Sequence, residues 1–340
     1  MEIIMPVAGL STRFPNMRPK YTLTDFSGKM MIEQSFAPYI GHDHITIGIL
    51  KEHNDLYQTE KYLKNTYGDQ LSVIILENRT TGPADTVNQI IQCAGLVDEP
   101  ILIKDCDSFF EYPYIPDNGV CVSRVEDHEY VKRLAGKSFV ISNNQGIITN
   151  IVEKQVVSNK FCVGGYKFES AKLFSDTYKS LIHTGVTEIF VSHVIEECLN
   201  NNIVFKEFIV SNYVDVGTAD EWFDYNDKNL IFCDIDGSII HAQGKHEYYD
   251  DPIPLKENIA RLQSMIKDGS SVIFTTARPK SIDNRTLEML EGLGFSNVQL
   301  ISGLPNARRI LINDYNAANP FPRAVAVNLK RNSDNLSDFI

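Results

Sequence analysis

Ile101-Leu102-Ile103-Lys104-Asp105-Cys106-Asp107 is an apolar run that ends on two carboxylates. A short run of this kind reads as a strand buried on both faces, as in parallel sheets. Open α/β sheets bind ligands beyond the carboxyl ends of such strands, so this segment predicts both a fold class and the end of the sheet where chemistry sits. Comparable runs lie at residues 3–7, 45–50, 71–76 and 119–122, and again at 229–232, 271–274 and 310–312. Between them, residues 57–67, 86–93, 190–199 and 255–267 carry apolar residues near three- and four-residue spacing, the mark of amphipathic helices. Strands alternating with helices predict an α/β protein with mostly parallel sheets.

The chain has 340 residues, which at about 150 per domain predicts two domains. With 43% hydrophobic and 22% charged residues it is too apolar for a disordered chain. No run approaches the ~20 apolar residues of a membrane span, which argues against membrane insertion. Lys and Arg number 32 against 44 Asp and Glu, a net charge of −12. An acidic surface repels a phosphate backbone, so nucleic acid is not an expected partner. Any phosphorylated ligand must instead be met by local Lys, Arg and Mg2+. Cys93, Cys106, Cys121, Cys162, Cys198 and Cys233 are scattered without a C-x-x-C pair, the usage of buried, reduced thiols in the cytoplasm. The opening residues lack the basic segment and apolar core of a signal peptide, which also points to a cytoplasmic protein. Residues 219–228 read as a short polar helix, and a fresh apolar run follows it. The expected domains are therefore 1–228 and 229–340; the oligomeric state stays open.

The first apolar run leads into Ala8-Gly9-Leu10-Ser11-Thr12-Arg13-Phe14, followed by Arg18-Pro19-Lys20. A small-residue turn after a buried strand lets backbone N–H groups approach a phosphate, which Arg13 and Lys20 can neutralise. Alone, such a turn is equally an ordinary strand-to-helix loop. Arg79-Thr80-Thr81-Gly82-Pro83-Ala84-Asp85 offers a second tight turn at a helix start, suited to nucleotide contact. Further on come Ile151-Val152-Glu153-Lys154, Val163-Gly164-Gly165-Tyr166-Lys167-Phe168 and Tyr213-Val214-Asp215-Val216-Gly217-Thr218.

This ordered set resembles the sugar-1-phosphate nucleotidylyltransferases of the GT-A-like nucleotidyltransferase superfamily, across about residues 1 to 225. The resemblance implies a Rossmann-type domain in which Ala8, Gly9, Leu10, Ser11, Arg13, Lys20, Thr81 and Gly82 bind a nucleoside triphosphate. It implies Mg2+ held by Asp107 and Asp215, and a sugar phosphate met by Glu153 and Lys154. Two distant carboxylates suit a hard cation that grips phosphate oxygens, and nucleotidyl transfer needs positioning and charge neutralisation more than covalent chemistry. Ser11 stands where the family loop usually has a second glycine. The position that commonly reads the base falls among Asn78, Arg79 and Thr80, so the base is undecided, with a slight lean to CTP from the general resemblance. Asp105 is either a supporting carboxylate or a solvated strand end.

In the last third, Leu230-Ile231-Phe232-Cys233-Asp234-Ile235-Asp236-Gly237-Ser238 delivers two aspartates and a glycine for a sharp exit. Val272-Ile273-Phe274-Thr275-Thr276-Ala277-Arg278-Pro279 and Ile310-Leu311-Ile312-Asn313-Asp314 follow in order. These segments resemble the haloacid dehalogenase-like (HAD) phosphatases. The resemblance implies a small α/β domain with Asp234 as nucleophile and Asp236 as general acid/base. It also implies phosphate contacts from Thr276, Arg278 and Arg309, and Mg2+ at Asp234, Asp236 and Asp314. The family's lysine is not evident; Arg308, Arg309 and Lys280 are the available cations, and an arginine fork is not equivalent to an ammonium. The interval between Asp236 and Thr276 is too short for a sizeable cap, so a capless domain is expected.

The expectation is a bifunctional enzyme. One domain would transfer a nucleoside monophosphate to a phosphorylated sugar, polyol or similar alcohol, and the other would hydrolyse a phosphate monoester on the same pathway, in the making of surface-polysaccharide precursors. The rival readings are a catalytically silent HAD-like domain used for binding or regulation, and a choline- or amine-phosphate cytidylyltransferase.

Overall fold

The apolar runs of the first half of the chain become neighbouring strands of one sheet. The computed structural model describes residues 1–111, 115, 118–128, 134–183, 188–242, 244, 251–313 and 324–340. The chain divides into two units, Met1–Asp224 and Tyr225–Ile340.

In the first unit the strands are β1 (Glu2–Pro6), β2 (His44–Leu50), β3 (Leu71–Leu76), β4 (Ile101–Lys104), β5 (Ser108–Glu111), β6 (Gly119–Arg124), β7 (Phe139–Ser142), β8 (Ile148–Val152), β9 (Lys160–Phe168), β10 (Lys206–Ile209) and β11 (Ser211–Asp215). The main sheet has the order β10-β6-β9-β4-β1-β2-β3, with β7 and β8 attached beside β9. β1 lies parallel between β2 and β4, and β3 continues parallel beyond β2. Expected as mostly parallel, the sheet is mixed, because β9 runs antiparallel to both β4 and β6. Its interior Gly165 makes this packing feasible: a Cβ there would lie 2.8 Å from Cys121 Sγ on β6. β5 and β11 form a separate antiparallel ribbon in which Asp215 faces Ser108.

The helices are α1 (Met31–Phe36), α2 (Lys51–Tyr57), α3 (Thr59–Tyr67), α4 (Pro83–Ala94), α5 (Ala171–Leu181), α6 (Val191–Asn200) and α7 (Ala219–Asn226). The helix expected at 57–67 is interrupted at its start, because Gln58 takes a left-handed φ of 53° between α2 and α3. α4 opens with proline at its first position, where no N–H partner is needed, and buries Ala84, Val87, Ile90 and Ile91 in the core. Burying Ile90 contributes ~2 kcal/mol. The fit depends on Gly48 in β2, where a Cβ would meet Ile90 Cδ1 at 2.4 Å.

The second unit holds three parallel strands, β12 (Leu230–Asp234), β13 (Ser271–Thr275) and β14 (Gln299–Ile301), in that order. α8 (Lys256–Lys267) and α9 (Asp283–Gly292) accompany them. Its core gathers Ile235, Ile239, Leu262, Phe274, Leu290 and Phe295. The strand expected at 310–312 is not formed: Ile310, Leu311 and Ile312 are exposed and outside any ladder. A three-residue apolar run has too little surface to define a strand without a paired neighbour; the third strand is Gln299–Ile301 instead. No disulfide links the cysteines; Cys93 is exposed, contrary to the expected burial, while Cys106, Cys121, Cys162 and Cys198 are buried. No helix among the described residues is long and apolar enough to cross a membrane.

Candidate functional sites

In the first unit, residues following β1 and β4 converge at the carboxyl end of the sheet. Ala8 is buried, while Gly9 and Leu10 are exposed. Ser11 takes a φ of 53°, the left-handed conformation that a glycine would adopt freely. Its hydroxyl accepts the Lys20 backbone N–H at 2.9 Å, and its carbonyl accepts that of Phe14 at 2.8 Å. Serine at this position therefore keeps the tight turn and ties it to Lys20.

Lys20 in turn donates from Nζ to Asp107 Oδ2 at 2.5 Å. Arg13 Nη2 stands 3.7 Å from the same oxygen, with its side chain 55% exposed. Burial alone would lower the Lys20 pKa, but the Asp107 carboxylate and its other neighbours outweigh it, and the net shift is upward. Burial works in the raising direction on Asp107, and the Lys20, Arg13 and Lys137 cations reverse it, holding the carboxyl well below the usual carboxylate range.

Asp107 and Asp215 are brought together by the β5–β11 ribbon. The Val216 N–H donates to the Asp107 carbonyl at 2.9 Å, and the Gly217 N–H donates to Asp215 Oδ1 at 3.1 Å. A Cβ on Gly217 would stand 3.1 Å from Asp107 Oδ2 and 3.1 Å from Asp215 Oδ1. Glycine thus leaves open a space bordered by two carboxylate oxygens, donors that suit a hard divalent cation, and by Arg13 Nη1, 3.4 Å from that Cβ. No group of three or more His, Cys, Asp or Glu residues suited to a metal occurs among the described residues, so a Mg2+ here would complete its shell with water and phosphate.

Two lysines of this site carry no sequence motif. Lys137, just before β7, is ion-paired with Asp215 Oδ2 and is only 17% exposed. Lys104, the last residue of β4, is buried and donates to the Asp105 carbonyl at 2.6 Å, the Ser108 carbonyl at 2.6 Å, and the Ser35 and Ser108 hydroxyls at 3.0 Å. It fastens the turn that carries Asp107. Asp105 lies against Gly164, whose Cβ would fall 2.5 Å from Asp105 Oδ2. Burial, with Asp107 beside it, pushes the Asp105 carboxyl up to about 6. Asp105 is half-buried there, beside the turn that carries Asp107.

The remaining residues expected in this unit lie on neighbouring segments. Glu153 accepts hydrogen bonds from the Ser138 and Ser192 hydroxyls. Lys154, at a φ of 54°, extends its ammonium over the Phe190 ring, 3.9 Å from the centroid. Thr81 donates its backbone N–H to Asp85 Oδ2 at 2.8 Å. Gly82 is required by close approach, since a Cβ there would lie 3.0 Å from the Ile189 carbonyl.

The second unit presents its own carboxylates at the end of β12. Arg309 Nη2 meets Asp234 Oδ1 at 2.9 Å. Arg278, expected to face a phosphate, is instead 4% exposed and holds Asp236 through Nη2 at 2.8 Å and Nε at 3.1 Å. A guanidinium fork matches a carboxylate in two parallel hydrogen bonds, which draws Arg278 inward. Thr276 Oγ1 also donates to Asp236 Oδ2, at 3.3 Å. Gly237 makes the exit turn with a φ of 98°, and Lys280 lies against Gly303. Asp314 lies outside the described residues.

No family model matches the sequence. No curated protein matches it either. Solved structures do resemble it. The nucleoside-diphosphate-sugar pyrophosphorylase from Vibrio cholerae RC9 superposes with a TM-score of 0.58 at 18% identity, covering 66% of this chain and 100% of its own. The inositol-1-phosphate CTP transferase from T. maritima superposes with a TM-score of 0.53 at 18% identity, covering 65% of this chain and 90% of its own. Over about two thirds of its length, the chain shares the fold of these two structures. Within that fold, the segment expected to face the base follows β3. Arg79 pairs with Glu52 at 3.2 Å, beside a cleft of about 380 Å3 lined by Leu50, Glu52, Glu77, Asn78 and Arg79.

Proposed function

We propose that the first unit is a Mg2+-dependent nucleotidyltransferase that joins a nucleoside monophosphate, from CTP in the first instance, to a phosphorylated sugar, polyol or similar small alcohol. The observation that carries this reading is the pairing of Asp107 with Asp215 around the space left by Gly217, flanked by Arg13 and Lys20. In the reaction an acceptor phosphate oxygen attacks the α-phosphorus, the bond to the bridging oxygen breaks, and pyrophosphate leaves with the electron pair. Arg13 and Lys20 neutralise the triphosphate, aided by the backbone of Ala8 to Ser11 and of Thr81 and Gly82. Glu153 and Lys154 orient the acceptor. A Mg2+ held by Asp107 and Asp215 would supply further charge neutralisation at the phosphate oxygens. The test is pyrophosphate release with Mg2+, each nucleoside triphosphate in turn, and glucose 1-phosphate, glycerol 3-phosphate or phosphocholine as acceptor. Turnover with phosphocholine alone would favour the choline-phosphate reading.

We read the second unit as a capless HAD-like phosphatase acting on the same pathway, in the cytoplasmic assembly of surface-polysaccharide precursors. Asp234 would take the phosphoryl group as the ester oxygen leaves with a proton from Asp236, and water would then release orthophosphate. Arg309, on Asp234, supports this reading as the cation that neutralises phosphate. One observation favours the silent alternative: Asp236 is engaged by Arg278 and Thr276, and must leave that clamp to exchange a proton with a substrate. Orthophosphate release that survives Asp234→Asn would remove the phosphatase reading.

A further inference from the structure

With Arg13, Lys20 and Lys154 assigned to nucleotide and acceptor, a further half-buried cation stands at the carboxylate pair without a task. Lys137 reaches the site from the entrance to β7, carries no motif, and is nevertheless 17% exposed and ion-paired with Asp215. Its ammonium also faces two aromatic rings, 5.7 Å from the centroid of Tyr213 and 5.9 Å from that of Phe161. The next residue, Ser138, donates its hydroxyl to Glu153. The Lys137-Ser138 step therefore bridges the Asp215 carboxylate and the glutamate assigned to the acceptor.

Both carboxylates are met by cations, and Asp107 has Arg13 beside it as well. Each of the two carboxylates at Gly217 is covered by a lysine, Asp107 by Lys20 and Asp215 by Lys137. Lys20 comes from the triphosphate loop, whereas Lys137 comes from the acceptor side. Lys137 holds Asp215 Oδ2 while Oδ1 borders the space at Gly217, so a divalent cation there would share the carboxylate with the ammonium and compete for its negative charge. When that carboxylate serves a cation, Lys137 loses counter-charge where its side chain is only 17% exposed, and an under-compensated ammonium there is costly. An anion must then take it, and the anion adjacent to Ser138 and Glu153 is the acceptor's phosphate.

Building on the nucleotidyltransferase reading of the first unit, we propose that Lys137 is a ligand for the acceptor phosphate, held on Asp215 until substrates arrive, and that it thereby keeps the substrate-free site from taking up divalent cations. Lysine suits this exchange because its flexible stem and compact charge can move between oxygens without the planar matching an arginine needs.

The test compares the full-length wild type with Lys137→Met and Lys137→Arg, using whichever of glucose 1-phosphate, glycerol 3-phosphate and phosphocholine supports turnover. Lys137→Met is expected to raise the acceptor KM at least tenfold while leaving the triphosphate KM within twofold, and Lys137→Arg to recover part of the loss. Mn2+ alone, titrated without nucleotide and followed by its electron paramagnetic resonance signal, is expected to bind Lys137→Met at least fivefold more tightly than wild type. An acceptor KM that stays within twofold, or a triphosphate KM that rises in step with it, overturns the proposal. If the wild type releases no pyrophosphate with any triphosphate, the nucleotidyltransferase reading falls by itself. The Mn2+ titration then decides the role of Lys137, and equal affinities in the two proteins overturn it.

Discussion

The Val216 N–H donates to the Asp107 carbonyl at 2.9 Å, so the strand that ends in Asp215 is stitched directly to the turn that carries Asp107. The geometry of the carboxylate pair is thus fixed by backbone hydrogen bonding, and the side chains are free to serve charge. Side-chain substitutions there should change chemistry more than fold.

Gly217→Ala isolates that distinction. The added methyl would sit 3.1 Å from both Asp107 Oδ2 and Asp215 Oδ1, filling the space between them. Gly217 has no left-handed φ, so the backbone accepts alanine. The expected outcome is a melting temperature within a few degrees of wild type, with pyrophosphate release and nucleotide-dependent Mn2+ affinity each lowered at least tenfold. Normal transfer by this variant would mean that the space is not used.

Asp107→Ala should cost more than a hundredfold in pyrophosphate release, in the range seen when a charge-stabilising group of an active site is removed (~3 kcal/mol). It also strands Lys20, a mostly buried ammonium. Removing one member of such a pair destabilises by up to ~3 kcal/mol, so a lower denaturation midpoint should accompany the loss. Asp107→Ala with Lys20→Met is expected to recover stability without activity, measurable by urea unfolding beside the transfer assay.

Much of this site was readable in the sequence, because β1, β2 and β4 are buried on both faces and announce themselves as continuous apolar runs ending in polar loops. Lys104 and Lys137 were not, since a single lysine is informative only once its neighbours in space are known. The Asp236–Arg278 clamp was missed for a related reason. Arg278 follows a strand at the position where an arginine facing a phosphate would be expected, and only its burial reveals that it faces a carboxylate. The run at 310–312 misled in the opposite sense, since apolar composition alone does not supply a neighbouring strand.

Acid should loosen the start of α4 through Asp85. Burial tends to raise this carboxyl, but hydrogen bonds from the Thr81 N–H, the Gln89 amide and the Thr81 hydroxyl outweigh it and hold the group below its ordinary value of 3.8. A depressed carboxylate contributes stability that is present above the unfolded value and lost as the pH falls through the folded one. Asp85→Asn is expected to cost ~1 kcal/mol at neutral pH, as for the loss of a helix-start acceptor, and to converge with wild type below pH 3.8. Urea unfolding at a series of pH values checks this, and a difference that persists unchanged in acid refutes it.

The two carboxylates of the second unit should separate by burial. Asp234 and Arg309 are 34% and 52% exposed, and exposed pairs contribute under ~1 kcal/mol, so Asp234→Asn should leave stability nearly unchanged while abolishing any orthophosphate release. Arg278 is 4% exposed. Arg278→Ala empties its place beside Met289 and leaves Asp236 without its guanidinium, for an expected loss of ~3 kcal/mol. Under the phosphatase reading, Asp236→Asn should keep the hydrogen bond from Thr276 yet lose orthophosphate release as fully as Asp234→Asn does. Release that is insensitive to Asp236 but abolished by Asp234→Asn would make Asp236 a structural partner of Arg278, and a site without proton transfer would then have to act on substrates with a good leaving group. Equal and negligible release from wild type and both variants would leave the clamp as the purpose of this aspartate, and the second unit as a binding domain.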